Sequence, residues 1–223
     1  MKNNKAAGAL VVCSGGVDSV TALYWAKRRY KRVEAITFNY GSNHNKRERR
    51  ALRAICGDCG VKLTRVDLPL GKYFKSSLLS GASAIPEGHY AAANMKSTVV
   101  PFRNGIMLAV AAGYAESEGF SAIVLGNHAG DHTIYPDCRS TFIDGMEKAV
   151  RAGTWAHIRV VSPFCNVTKA DIVKLGAKLG VPLGKTYSCY KGGAKHCGKC
   201  GTCIERKEAF AIAGVKDETV YEA

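Results

Sequence analysis

Apolar residues in this chain fall into short runs, separated by longer stretches in which apolar positions recur every three to four residues. The runs at 9–13, 33–38, 61–66, 122–125 and 158–161 have the length of strands buried on both faces. The stretches at 17–29, 46–56, 104–117, 140–150 and 169–179 carry the helical period. Run and stretch alternate, which predicts βα units in an α/β fold with a doubly wound, mostly parallel five-stranded sheet of Rossmann-like type. Periodicity fades over 67–100, where Gly71, Gly81, Pro86 and Gly88 punctuate a segment rich in Ser and Ala. So long an aperiodic connection predicts a lid or loop insertion.

Composition narrows the class. Of the 223 residues 47% are hydrophobic, enough for a full core and too many for global disorder. The 32 Lys and Arg against 18 Asp and Glu leave a net charge of +14, which attracts anions such as nucleotides, acidic metabolites and RNA without choosing among them. Two basic clusters, Lys27–Arg28–Arg29–Lys31–Arg32 and Lys46–Arg47–Arg49–Arg50–Arg53, read as solvated helix surfaces. No apolar run reaches membrane-spanning length, so no membrane partner is expected. The apolar run near the N-terminus passes directly into a glycine-rich loop, as a first strand does and an export signal does not.

That loop is Ser14-Gly15-Gly16-Val17-Asp18-Ser19, set between a strand and a helix. The first N–H groups of a helix lack partners and the macrodipole favours anions there. Paired glycines let the backbone approach phosphate oxygens, and Ser14, Ser19 and Thr21 offer hydroxyl donors. A tight turn would explain the glycines alone, whereas the full string in this context points to phosphate. It is not a Walker loop, since no lysine follows at the required place. The Gly126-Asn127-His128 string after the fourth strand falls on the same rim, where His128 is equally a ligand contact or a structural histidine.

The chain holds nine cysteines, and Cys189, Cys197, Cys200 and Cys203 form the pattern C-x7-C-x2-C-x2-C. An odd total with a tight cluster predicts metal binding in a reducing cytoplasm rather than disulfides. Four converging thiolates suit structural zinc, an iron–sulfur cluster being the rival; His196 is a spare donor.

The SGGVDS string resembles that of the ATP pyrophosphatases, the adenine nucleotide alpha hydrolase type, which split ATP between its α- and β-phosphates. The resemblance implies an ATP cradle of Cys13, Ser14, Gly15, Gly16, Val17, Asp18, Ser19, Val20 and Thr21, with Gly126. Further strings narrow it: Tyr40-Gly41 with His44, Val100-Pro101-Phe102-Arg103-Asn104, Tyr135-Pro136-Asp137-Cys138-Arg139, Thr168-Lys169-Ala170-Asp171, and the cysteine block with Arg206 and Phe210. From Leu10 to Phe210 the chain resembles the 7-cyano-7-deazaguanine synthase family.

That resemblance implies conversion of 7-carboxy-7-deazaguanine and ammonia to a nitrile with ATP, through an amide, with Mg2+ and Zn2+ bound. It implies small-molecule partners, no required nucleic acid and a homodimer. Adenylation turns a carboxylate oxygen into a good leaving group, so the expected catalytic residues are Asp18, to hold Mg2+ or brace the loop, and Lys169 and Arg103, to neutralise charge. Expected substrate contacts are Tyr40, His44, Arg103, Asn104, Asp131, Tyr135, Asp137 and Arg139, with Asp137 reading the guanine-like edge and Tyr40 or Tyr135 stacking on its face. The expected organisation is a nucleotide-binding domain over 1–186 and a zinc-binding region over 187–223 packed on it.

The chain departs from that family at Ser42, where glutamine is usual, at Arg47, where an acid is usual and Glu48 stands next in line, and at Phe102, where glycine is commoner. These positions bear on substrate choice. Rival readings are an enzyme adenylating tRNA directly, a protein-modifying relative, and a non-enzymatic zinc-bearing nucleic-acid-binding module, the last opposed by the intact loop.

Overall fold

In β1 (Ala6–Val12) neighbouring side chains enter two different cores, Ala9 and Val11 one and Leu10 the other. A strand apolar on both faces belongs in the middle of a sheet covered on both sides. In the computed structural model β1 pairs in parallel with β2 (Tyr30–Asn39) on one side and with β4 (Ala122–Val124) on the other. Outside them lie β3 (Leu63–Asp67) and β5 (Arg159–Val161), giving five parallel strands in the order β3-β2-β1-β4-β5. The structure describes residues 6–79, 84–89 and 93–222.

The helices α1 (Val17–Arg29) and α2 (Asn45–Asp58) share one face with α5 (Lys169–Leu179) and α6 (Gly201–Ala213), burying Leu23, Leu52, Ile55, Ile172 and Phe210 together with Val11. The other face is covered by α3 (Arg103–Ser117) and α4 (Ser140–Gly153), through Leu108, Ala111, Ile143 and Val150 packed with Leu10, Ile36 and Ile123. Strand order reverses between β1 and β4, and ligand crevices form beyond the carboxyl ends of strands at such a point. No helix among the described residues is long and apolar enough to cross a membrane.

Two expectations change. Helix α6 had no counterpart in the sequence pattern, because its buried positions include Cys203 and Arg206 as well as Ala209 and Phe210. An arginine at a core position hides the helical stripe; here its guanidinium reaches Thr186, Leu183 and Asp217 at 2.8–3.1 Å, which satisfies it. The described part of the 67–100 insertion is also less free than its composition implies. Leu70, Leu78 and Leu79 enter the core, Met95 is fully buried, and Glu87 bridges to Cys200. Residues 80–83 and 90–92 of that insertion, Gly81 among them, lie outside the described residues.

Candidate active site

The phosphate loop follows β1 and ends at Gly16, the N-cap of α1, which has no side-chain cap. Ser19 Oγ accepts the N–H groups of Ser14 (3.2 Å) and Gly15 (3.4 Å), and Ser14 Oγ accepts that of Gly16 (3.2 Å), so the loop curls over the helix start. Gly15 has φ +109°, and a Cβ there would lie 2.5 Å from the Glu48 carbonyl oxygen. Gly126, after β4, packs so close that a Cβ would lie 2.8 Å from the Asp18 carbonyl and the Ser19 nitrogen. Val20 and Thr21, expected in the cradle, are fully buried and point away from it. Val20 joins the core, and Thr21 Oγ1 packs on Gly176 of α5 without a hydrogen-bond partner.

Asp18 anchors a buried charge cluster. Its Oδ2 lies 3.1 Å from Lys169 Nζ, which also donates to Glu205 Oε2 at 2.8 Å. Lys169 is fixed at the start of α5 by a capping box in which Thr168 and Asp171 exchange side-chain and backbone hydrogen bonds. Burial pushes the Asp18 carboxyl up, but Lys169 and then His128 outweigh it and hold it below the usual carboxylate range. Burial would depress Lys169; Asp18 and Glu205 instead raise it above an ordinary lysine. His128 Nδ1 accepts the Gly130 N–H at 3.1 Å, and Nε2 faces Asp131 (3.6 Å), Glu205 (3.7 Å) and Asp18 (4.0 Å). His128 is thus a structural member of this cluster, and it does not line the cleft.

The loop opens into a cleft of about 220 Å³ whose other wall carries Tyr40, His44, Glu48, Arg103, Asn104, Asp131, Tyr135 and Tyr190. Arg103 Nη1 donates to Tyr40 Oη at 3.1 Å, and the His44 ring lies against Tyr190 at 5.2 Å. Burial, then Arg103, pushes His44 down to about 4, so the imidazole is neutral. Burial lifts Glu48 to about 8 against the pull of Arg103 and Ser14.

Two expected substrate contacts do not reach this cleft. Asp137 is buried, with Oδ2 accepting the Asn104 N–H at 2.9 Å, so it caps α3 from across the fold and sets Asn104. Arg139 is exposed where α4 begins and donates to the His132 carbonyl at 2.9 Å. Cys138 lines the cleft but is held by Asn104 Nδ2 at 3.1 Å, and burial pushes its thiol well up.

Beside the cleft the four cysteine sulfurs lie within 4.8 Å of one another, all buried. Backbone N–H groups point at them: Cys197 to Cys189 Sγ (3.4 Å), Lys199 to Cys197 Sγ (3.5 Å) and Cys200 to Cys197 Sγ (3.3 Å). Such donors stabilise thiolate charge, so the donor set suits a soft or borderline metal ion. His196 is not part of it, because its Nε2 accepts the Ser188 N–H at 2.9 Å.

With this geometry in hand, comparison with known proteins is decisive. The family model described as "Queuosine biosynthesis protein QueC" matches residues 8–214. This chain belongs to the QueC family. A relative named 7-cyano-7-deazaguanine synthase from Porphyromonas gingivalis is 53% identical over 96% of the chain and 97% of its own length. Proteins of the same name from Desulfotalea psychrophila and Brucella anthropi are 48% and 46% identical over 96% of the chain and 98% and 93% of their own lengths. Among solved structures, the U34-tRNA thiolase NcsA from Methanococcus maripaludis with its [4Fe-4S] cluster superposes with a TM-score of 0.51 at 15% identity, covering 94% of the chain and 65% of that protein. NMN synthetase from Francisella tularensis gives 0.52 at 12%, covering 95% of the chain and 78% of that protein. At those identities the likeness is one of fold, and it agrees with the ATP pyrophosphatase architecture.

In this QueC-family chain the structure also brings forward residues that sequence reasoning left out. Glu48 was visible only as the neighbour of an unexpected Arg47. Glu205 carries no motif of its own, and its signal was its place two residues past Cys203. Tyr187, whose N–H donates to the Gly15 carbonyl at 3.0 Å, and Tyr190 line the cleft from the cysteine segment.

Proposed function

We propose that the chain is an ATP-dependent nitrile-forming ligase that converts 7-carboxy-7-deazaguanine and ammonia into 7-cyano-7-deazaguanine. The observation that carries the reading is one cleft, in a chain of this family, that joins an SGGVDS helix start to a wall of Tyr40, Arg103, Asn104 and Tyr135. The loop and the unpaired N–H groups of α1 hold the phosphates of ATP. The substrate carboxylate oxygen attacks the α-phosphorus, and pyrophosphate leaves against the helix N-terminus. Lys169 and Arg103 offset the negative charge that gathers at that centre, Lys169 while braced by Glu205. Tyr40 and Tyr135 face the planar heterocycle, and Asn104 and Asp131 offer polar groups to its edges. Asp137 serves by holding Asn104.

Asp18 Oδ1 is buried without a hydrogen-bond partner, which suits a hard cation. Asp18 would hold Mg2+ there, which screens the phosphates when bound. The cysteine set suits Zn2+: tetrahedral Zn–S bonds of about 2.3 Å place sulfurs about 3.8 Å apart, close to the 4.0 Å between Cys197 and Cys203. A four-iron cluster spreads its thiolates wider. A closed four-thiolate site leaves no position for substrate, so the metal's part is structural. All nine cysteines are free, which supports work in a reducing cytoplasm.

Incubation with the free carboxylate, ATP and ammonium, followed by mass spectrometry, tests the reading. The expected products are AMP, pyrophosphate and the nitrile. AMP release that answers to tRNA and ignores the carboxylate would overturn it.

A further inference from the structure

Amination releases protons, and the cleft has to receive them. Forming an amide from ammonia and an acyl adenylate frees one proton; closing the adenylated imidate to a nitrile frees another. Of the acids that line the cleft, Asp18 is paired with Lys169, and Asp131 accepts the His128 N–H and faces its ring. The nearest ion-pairing nitrogen to Glu48 among the described residues is His44 Nε2 at 3.7 Å. Glu48 also lies where the cleft meets a second cavity of about 450 Å³, since Glu48, Ser14, Thr37 and Phe38 line both. Ser42, 6% exposed and with no hydrogen-bond partner for its Oγ, lines that second cavity.

We infer that Glu48 is the proton acceptor of the amination and nitrile-forming steps, with the second cavity as the way out for the proton. The inference rests on the function proposed above. As the ammonia lone pair forms the C–N bond, the C–O bond to AMP breaks with its electrons leaving on AMP, and Glu48 takes a proton from nitrogen. In the second half it takes two N–H protons in turn, releasing the first before it takes the second. One comes as the amide oxygen is adenylated; the other is the imidate N–H proton, whose electron pair becomes the third C–N bond as AMP departs again. Between the halves the proton passes to solvent past Ser42.

The groups facing Glu48 from the elements around it support a base rather than a fixed ion. They are the neutral His44 at the head of its own helix, Arg103 of α3, Ser14 and Cys13 of the loop, and Tyr40 after β2, with Lys46, Arg49 and Arg65 around the second cavity. Its carboxyl, lifted to about 8, is basic enough to accept a proton from a nitrogen acid near neutral pH and still release it.

The test compares parent, Glu48→Gln and Glu48→Asp, all checked for fold by circular dichroism. Carboxylate-dependent ATP–pyrophosphate exchange and amide formation from ammonium are each measured across pH. The ratio of amide formed to exchange is expected to fall about 100-fold in Glu48→Gln, and less in Glu48→Asp, which keeps a shorter base. The Gln variant should also lose an inflection near 8 in amide formation. An unchanged ratio and pH profile in a folded Gln variant would overturn the role of Glu48 while leaving the ligase reading intact. Absence of carboxylate-dependent exchange in the parent would instead remove the ligase reading, and this inference with it.

Discussion

Lys169 donates a hydrogen bond at 2.8 Å to Glu205, a residue only two positions past the last cysteine of the four-thiol set. Through that bond, and through the Tyr187 N–H on the Gly15 carbonyl at 3.0 Å, the cysteine segment holds the ATP loop from two directions. Cys200 is the N-cap of α6 and Cys203 sits in its first turn, so whatever ties the thiols together also fixes where Glu205 stands.

Removal of the metal proposed for the four thiols is therefore expected to damage the loop as well as the cysteine segment. A structural zinc site contributes on the order of 10 kcal/mol of binding free energy, so Cys200→Ser should lower the unfolding temperature steeply and abolish ATP binding together. Metal analysis of the parent should return one zinc per chain in a colourless protein, and calorimetry with a non-hydrolysable ATP analogue measures the second effect.

Lys169→Met leaves Asp18 and Glu205 facing each other without their cation. Removing one partner of a buried ionic cluster costs about 3–5 kcal/mol, and Lys169 is nearly buried, so denaturant unfolding should register a loss of that order. Adding Glu205→Gln to Lys169→Met should recover part of it, because one uncompensated charge goes. Activity should stay lost in the double variant, which separates the stability role from the charge-offsetting one.

Asp18→Asn keeps the shape of the loop and removes its carboxylate. AMP formation is expected to fall at least about 100-fold, with far-UV circular dichroism unchanged. Normal AMP release from the folded variant would remove Asp18 from the reaction.

The order of elements and the parallel sheet were legible because buried strands and amphipathic helices alternate along the chain, and the loop and cysteines because their chemistry depends on spacing. What stayed hidden depends on which way a side chain turns. Asp137 and Arg139 sit in a motif beside the cleft, yet one caps α3 and the other faces solvent. Thr21 follows the phosphate loop closely in sequence, but the two residues from Ser19, about half a helical turn, carry it to the opposite side of α1. Glu48 and Glu205 reach the cleft region only because α2 and α6 bring them there, and no local string announces a carboxylate delivered by tertiary packing.

Phe102 is the N-cap of α3 with φ 53° and ψ 27°, in the left-handed region where a side chain is strained. Its ring is 59% exposed and meets Phe142 edge-on at 5.6 Å, a contact too open to offset much of that strain. Unfolding temperatures are expected to rank Phe102→Gly above the parent and Phe102→Val below it, since a β-branched residue fits that region worst. The spread between the two variants should be about 1–2 kcal/mol. The reverse ranking would show that the Phe142 contact governs the site.

The pH dependence of stability should carry the signatures of His44, the N-cap of α2, and Glu48 in its first turn. His44 falls from an ordinary 6.5 to about 4 in the folded chain, so between those values the unfolded state binds more protons and stability is lost as pH falls. Glu48 rises from an ordinary 4.5 to about 8, so the folded state keeps a proton that the unfolded state releases, and stability is lost as pH rises over that range. The two slopes oppose each other between 4.5 and 6.5, which flattens their joint contribution there, and only Glu48 acts from 6.5 to about 8. Urea midpoints measured across pH resolve this by difference from the parent. Glu48→Gln should remove the decline above 6.5 and leave a rise from about 4 to 6.5, whereas His44→Gln should extend the decline down to 4.5. Each effect should approach 1.4 kcal/mol per pH unit at most. Superimposable curves for the two variants would mean that neither group holds its proton as the buried geometry requires.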